Sequence, residues 1–348
     1  MTNPLALSVL DQTPVPEGST GPDALQNSID LARLADELGY RRYWLAEHHN
    51  GPLLAGPSPE VLIGPIATVT SRLRVGSGGV MLPHYSPLKV AESFSVLAGL
   101  FGDRIDLGIG RAPGTDPFTT YALQRDRRQA APDDFPDQLA ELLALLEERI
   151  PPDHPFARLS KLPGRPYAPE PWLLGSSPQS GIWAAETGLP YAFADFINPD
   201  GAAIAQRYRS EFRDSHRLAA PRLAVGVSVI CAETDDEAWH LAASGRMTMT
   251  LLRRGRLIPV PPPEKALRFL QSEGQPLEGT PPGRRLVAGA PDTVAARLRE
   301  VAAAYGAEEL IVVTITYDHG ARRRSYELLA EAFGLTAAEP ALERAASA

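Results

Sequence analysis

A (β/α)8 TIM barrel with an insertion between strand 7 and strand 8 is the fold class predicted for this 348-residue chain, on three observations. Strand-like and helix-like segments alternate almost without interruption from residue 5 to residue 333. The turn after the first strand, Asp11-Gln12-Thr13-Pro14, lacks the G-x-G-x-x-G that opens a doubly wound dinucleotide-binding sheet. The later Gly108-Ile109-Gly110-Arg111-Ala112-Pro113-Gly114 misses that spacing and has a proline where the helix should open. Finally, the alternation amounts to eight strand–helix units in one chain, with one long excursion after strand seven.

The elements follow in order. Leu5–Leu10 is a short apolar strand. Pro22 and Asp23 open a helix whose Leu31, Leu34, Ala35 and Leu38 share a face, and Gly39 suits its left-handed terminus. Arg42–Ala46 is the second strand and Ser58–Thr70 the second helix. The third strand, Arg74–Leu82, holds Gly76, Gly78 and Gly79 in its middle. Glycine weakens a strand interior, so three together predict close backbone approach or a bulge. A helix from Pro87 places Val90, Phe94, Val96/Leu97 and Phe101 toward a core, Gly102-Asp103 ends it, and Ile105–Ile109 is the fourth strand.

Phe135–Arg149 is strongly helical, and the proline-rich 151–170 leads into a fifth strand, Pro171–Leu174. A helix starts near Gly175-Ser176-Ser177-Pro178 and runs to about Thr187. Tyr191–Phe196, Asp200–Asp214, Arg222–Ile230 and Asp235–Leu252 continue the alternation. After 253–290, an insertion with helical content at Glu264–Leu270, come the helix Pro291–Tyr305, the strand Glu309–Thr316 and the helix Arg322–Phe333. Residues 1–336 thus read as one barrel domain, and 337–348 as a fraying tail.

Composition narrows the function classes. Apolar content of 44% and charged content of 22% describe an ordinary globule with ample core material. A net charge of −8 argues against a nucleic-acid surface, which wants a basic face. The single Cys231 excludes an intramolecular disulfide and fits a reducing compartment. The start, MTNPLALSVL, lacks the cationic flank of a signal peptide, and no apolar run reaches membrane-spanning length. The expectation is a cytoplasmic protein.

The strand ends offer Asp11, Glu47-His48-His49, the Gly-rich third strand, Gly110-Arg111, Gly175-Ser176-Ser177, Asp195, Cys231 and Tyr317-Asp318-His319. Schiff-base chemistry needs a lysine there, but Lys89, Lys161 and Lys265 all fall elsewhere. A metal site needs several converging ligands, and Glu47-His48-His49, whose neighbours point to opposite faces, is the only cluster. No Ser, His and acid set reads as a nucleophilic triad. What remains is a cation on a Gly-rich exit, able to clamp an anion, and an imidazole beside a glycine-floored pocket. Each has a structural alternative. Arg111 could pair with Glu47 or Asp116, Ser176 and Ser177 could cap a helix, His48 could be a bonded core residue, and the glycines could serve packing alone. Arg125-Asp126-Arg127-Arg128 reads as a solvated loop near the mouth, and Cys231 as buried filler.

Taken together and in order, WLAEHHN, RVGSGGVMLP, RIDLGIGRAPG, LLGSS and TITYDHGARRRSYELLAEAF resemble the bacterial luciferase-like flavin-dependent monooxygenases over nearly the whole chain. The resemblance implies a flavin at the C-terminal face, with His48 beside its reacting edge. It implies that Arg111, Ser176, Ser177 and Ser180 hold the phosphate, and that Gly78-Gly79 is a non-prolyl cis peptide against the isoalloxazine. The luciferase subunit proper has a cysteine where this chain has Gly110, so light emission is not implied.

The implied activity is oxygenation of a small organic substrate with reduced FMN and O2, in a dry pocket with a proton manager such as an imidazole. No pyridine-nucleotide site is evident, so a separate flavin reductase is the expected partner, with a homodimer the expected assembly. A deazaflavin-dependent hydride transferase and a non-catalytic flavin-binding or partner subunit are the alternatives; Arg111 and both serines speak against the last.

Overall fold

The structure, a computed structural model, describes residues 5–112, 114–124, 127–129, 133–159, 161–279 and 286–336. Its strands are β1 (Ala6–Asp11), β2 (Arg42–Leu45), β3 (Arg74–Met81), β4 (Ile105–Gly110), β5 (Glu170–Gly175), β6 (Tyr191–Ala194), β7 (Leu223–Cys231), β8 (Leu286–Gly289) and β9 (Glu309–Val313). Eight of them pair in parallel in the order β1-β2-β3-β4-β5-β6-β7-β9, and β9 returns to β1, closing a (β/α)8 barrel. The ninth, β8, pairs only with Ser228–Cys231 of β7, the part of that strand that rises beyond its pairing with β9. It falls in the stretch expected as insertion, where four residues ending at a glycine carry too little pattern to read as a strand.

The helices are α1 (Gly21–Leu38), α2 (Pro59–Val69), α3 (Pro87–Phe101), α4 (Pro117–Leu123), α5 (Phe135–Leu146), α6 (Pro178–Thr187), α7 (Ala202–Glu211), α8 (Asp235–Leu252), α9 (Pro263–Ser272), α10 (Pro291–Tyr305) and α11 (His319–Phe333). Their boundaries follow local chemistry. Thr20 and Asp23 form a reciprocal capping box on α1, and Gly39 closes it at φ 87°. The short α4 was not anticipated; Asp116 caps it by accepting from the N–H groups of Phe118 and Thr119, ahead of Pro117 at the first helical position.

Outward strand residues such as Leu7, Val9, Tyr43, Val75, Leu107 and Val225 pack under the helices in the main core. Inward residues form a second cluster, with Trp44 and Trp172 edge to face at 5.4 Å beside Leu10, Ala192, Ala224 and Ile311. Two large rings fill the barrel because small residues face them from β6 and β7.

Below them, at the strand starts, lies a charged plug. Buried Arg42 bonds Asp106 at 2.7 Å, Glu309 at 3.0 Å and Glu170 at 3.2 Å, and lies 4.6 Å from the Trp172 ring centre. Burial would raise Glu170, yet the cations of Arg42, Arg222 and Arg74 hold it down at about 2. That end is a structural floor, and the opposite end is the mouth.

The loop after β1 bridges Pro14 to Leu54 and pairs with Val260 of the insertion through Val260 N–H to Val15 O, 2.9 Å, and Glu17 N–H to Val260 O, 2.8 Å. Helix α8 passes the end of β9, where a Cβ on Gly245 would lie 3.8 Å from the Ile315 carbonyl. So the excursion after β7 returns over the mouth. The tail 337–348 and part of Arg125-Asp126-Arg127-Arg128 lie outside the described residues. Among the described residues no helix is long and apolar enough to cross a membrane.

Candidate functional site

The mouth is built from the exits of neighbouring strands. Strand β2 ends into Ala46-Glu47-His48-His49, where His48 N–H donates to Gly56 O at 3.0 Å. Its ring Nδ1 is buried and has no hydrogen-bond partner among the described residues. Burial, reinforced by neighbouring His49, pushes the His48 pKa down to about 4. A neutral imidazole with an open nitrogen is the result, and it is not the bonded core histidine of the structural reading.

In the adjacent strand β3, the Gly78–Gly79 peptide is cis and the β3–β4 register slips between Ser77 and Val80. A Cβ on Gly78 would lie 2.6 Å from Leu10 Cδ1 and 3.0 Å from Trp44 Cβ, and one on Gly79 2.8 Å from Gly108 O. Gly76 and Gly108 allow the same close approach, at 2.4 Å from Asp106 O and 2.2 Å from Ser77 O. Close packing of β3 on β4 therefore accounts for the glycines in part. At Gly78-Gly79 the backbone itself meets the Leu10 and Trp44 side chains and the backbone of β4.

Arg111 leaves β4 half exposed. Its partner is neither Glu47 nor Asp116: Nη2 donates to both carboxylate oxygens of exposed Asp133 at 2.9 Å. Its guanidinium also lies 5.4 Å from the Trp183 ring centre. Trp183 sits six residues past Ser177 on α6, about 9 Å along the axis, although helical side chains lean back toward the N-terminus.

Ser177 is the N-cap of that helix and accepts from Ser180 N–H at 3.4 Å. Ser180 is buried, its hydroxyl donating to Ser177 O at 2.7 Å and meeting Tyr191 Oη at 2.8 Å. The Ser176 carbonyl accepts from Asn198 Nδ2 at 2.9 Å. The serines thus serve α6 as a cap, which is compatible with anion binding because the same exposed N–H groups serve both.

Several other strand-end residues point away from the mouth. Asp11 is buried outside the barrel wall, paired with Arg322 of α11 at 2.6 Å; burial would raise its carboxyl, but the Arg322 cation and side-chain hydrogen bonds together hold it below the usual range. Asp195 accepts from Tyr305 Oη at 2.7 Å. Cys231 lies in the strand–helix core, where burial pushes its thiol up to about 12. His319 pairs with Asp30 at 2.8 Å on the outer helices. Alternation explains this: the last residue of a strand faces the mouth or the helices according to register, which the sequence does not reveal.

Glu47 is a residue whose role sequence reading missed. It is wholly buried, accepting from His49 Nε2 at 2.8 Å, Tyr85 Oη at 3.0 Å and the Met81 N–H at 2.9 Å. The only signal was a carboxylate beside two histidines. Among the described residues no group of three His, Cys, Asp or Glu side chains is placed to hold a metal.

The family model for luciferase-like monooxygenases matches residues 6–309. The Bacillus subtilis protein YwcH is 45% identical over 333 residues, covering 94% of this chain and 99% of its own. The N-acetyl-S-alkylcysteine monooxygenase of the same organism is 35% identical over 328 residues, covering 94% and 98%. The crystal structure of apo-MsnO8 superposes with a TM-score of 0.86 at 44% identity, covering 95% of this chain and 99% of that one. Two distant structures share the fold at TM-scores of 0.70 and 0.64: a Pseudomonas putida diketocamphane monooxygenase constituent with FMN, and an F420-dependent secondary alcohol dehydrogenase. Their identities are 20% and 12%, with coverage of 94% and 95% of this chain and 97% and 99% of theirs.

Proposed function

The chain belongs to the luciferase-like monooxygenase family and is an enzyme of that class, and from that premise we propose that it oxygenates a small organic substrate with reduced FMN and O2. The observation that carries the flavin reading is the buried Nδ1 of His48, unpartnered among the described residues, on the loop leaving β2, with the cis Gly78-Gly79 peptide in the adjacent strand β3. An orphaned buried nitrogen is costly unless a ligand completes it. A flat ring system laid on glycine backbone would do so, and the residues fit that group.

Bound at the mouth, the reduced flavin supplies the electrons with which one oxygen atom goes to substrate and the other to water. The chain supplies the rest. Arg111 and the N-terminus of α6 at Ser176 and Ser177 hold the phosphate. For this the guanidinium exchanges Asp133 for phosphate. An exposed ion pair contributes only about 0–1 kcal/mol, whereas a charge-assisted bond to phosphate contributes about 1.5–3 kcal/mol, so the exchange favours cofactor. The backbone of Ser180 belongs to that same first turn. His48 is neutral at neutral pH and takes up a proton or hydrogen bond at Nδ1. The Trp44–Trp172 plug keeps water from entering through the barrel.

Reduced FMN comes from a separate flavin reductase, and the expected assembly is a homodimer. The test is an anaerobic titration with reduced FMN, FMN and a deazaflavin, followed by turnover with 18O2. N-acetyl-S-alkylcysteines come first among substrates, since a relative is named for them. Tight binding of reduced FMN and one labelled oxygen per product are expected. Binding of deazaflavin alone would replace oxygenation by hydride transfer, and binding of none would leave a non-catalytic subunit.

A further inference from the structure

The reading above gives His48 work at the flavin site, and resting on it we propose that Glu47 is a positioning residue, whose buried carboxylate ties the segment bearing His48 to the segment that follows Gly78-Gly79. Glu47 has no solvent exposure, and no arginine or lysine among the described residues pairs with it. Its two oxygens are spent on three donors from two places. His49 Nε2 belongs to its own loop, while the Met81 N–H is the end of β3 and Tyr85 Oη comes from just past the turn that follows it. Burial and the Glu47 charge push the Tyr85 phenol above its ordinary value, so Tyr85 stays a donor.

The loop is clamped from its other side too. A Cβ on Gly114 would lie 2.9 Å from Glu47 O, and Thr115 Oγ1 donates to His49 O at 3.1 Å. Residues on both sides of His48 are therefore bonded to the protein, while its ring Nδ1 finds no partner among the described residues. Holding a ring without touching it requires its neighbours to be fixed, and a misplacement of about 1 Å costs on the order of 100-fold in rate. A carboxylate can accept from all three donors. The amide of glutamine has one accepting oxygen and two donors of its own, so it cannot reproduce the arrangement.

The experiment compares Glu47→Gln, Tyr85→Phe, His48→Ala and the Glu47→Gln, His48→Ala double variant. In the cofactor-free protein, NMR of the imidazole nitrogens should show His48 of the parent as one neutral species to about pH 4. In Glu47→Gln its signals should split or broaden, and its titration should move up toward the ordinary 6.5 as the ring meets water. Turnover should fall roughly 10- to 100-fold in Glu47→Gln, but by no further amount in the His48→Ala background, because both changes remove one function.

An unmoved His48 titration together with additive losses would overturn the proposal and leave Glu47 a packing residue. Full turnover in His48→Ala would instead overturn the reading on which it rests. If Glu47→Gln does not fold, Tyr85→Phe keeps the carboxylate, deletes one donor, and should shift His48 in the same direction by less; no shift there would equally overturn the proposal.

Discussion

His48 leaves β2 into a loop whose burial strips water from its imidazole and lowers its pKa to about 4. Between that value and 6.5 the unfolded chain binds more protons than the folded one. This contribution to stability is therefore complete above about pH 6.5 and lost as pH falls through 4. The same shift bears on the proposed activity. If neutral His48 is required, the acid limb of kcat/KM should lie near pH 4, and a limb near 6.5 that persists in His48→Ala would assign it to another group. The sequence indicated an imidazole at the mouth but not its protonation, because burial arises from loops that return from residues 56 and 114. Arg111 was legible as a cation on a glycine-rich exit. Its neighbours Asp133 and Trp183 were not, since nothing in the spacing of three loop and helix residues joins them.

At the scale of elements, β3 and β4 lie so close that backbone meets backbone. A methyl on Gly108 would sit 2.2 Å from Ser77 O and 2.8 Å from Leu174 Cδ1, with no flexible atom to yield at the first. Gly108→Ala should cost about 1–3 kcal/mol or more, read as a lowered urea midpoint. An unchanged midpoint would mean that the strands can separate. The run of glycines announced this approach in the sequence, because glycine inside a strand has little other use. Helices with an apolar stripe between clear end signals, such as α1 with its capping box and Gly39 and α10 with Pro291 and Gly306, were equally legible. Short elements were not. Seven-residue α4 has no room for a stripe, and four-residue β8 exists because β7 outgrows the barrel and offers an edge.

Across the whole molecule the strands run from a charged floor to a chemical mouth. Arg42 at the floor is buried against Asp106, Glu170 and Glu309, and removing one partner of a buried network strands the others. Arg42→Met should cost about 3–5 kcal/mol by denaturant unfolding while leaving flavin affinity of the folded fraction unchanged. A loss under 1 kcal/mol would show that Arg74 and Arg222 suffice for the carboxylates. This floor escaped the sequence reading because its members are single charges 64, 128 and 267 residues apart, joined only by closure of the barrel.

The proposed flavin site depends on Arg111, and one pair of titrations puts that to the test. FMN and riboflavin are titrated into the parent and into Arg111→Ala at fixed ionic strength. The phosphate bond lost is worth about 1.5–3 kcal/mol, so FMN should weaken by roughly ten- to a few-hundredfold and riboflavin hardly at all. Equal losses for both ligands, or none for either, would contradict a flavin phosphate at Arg111.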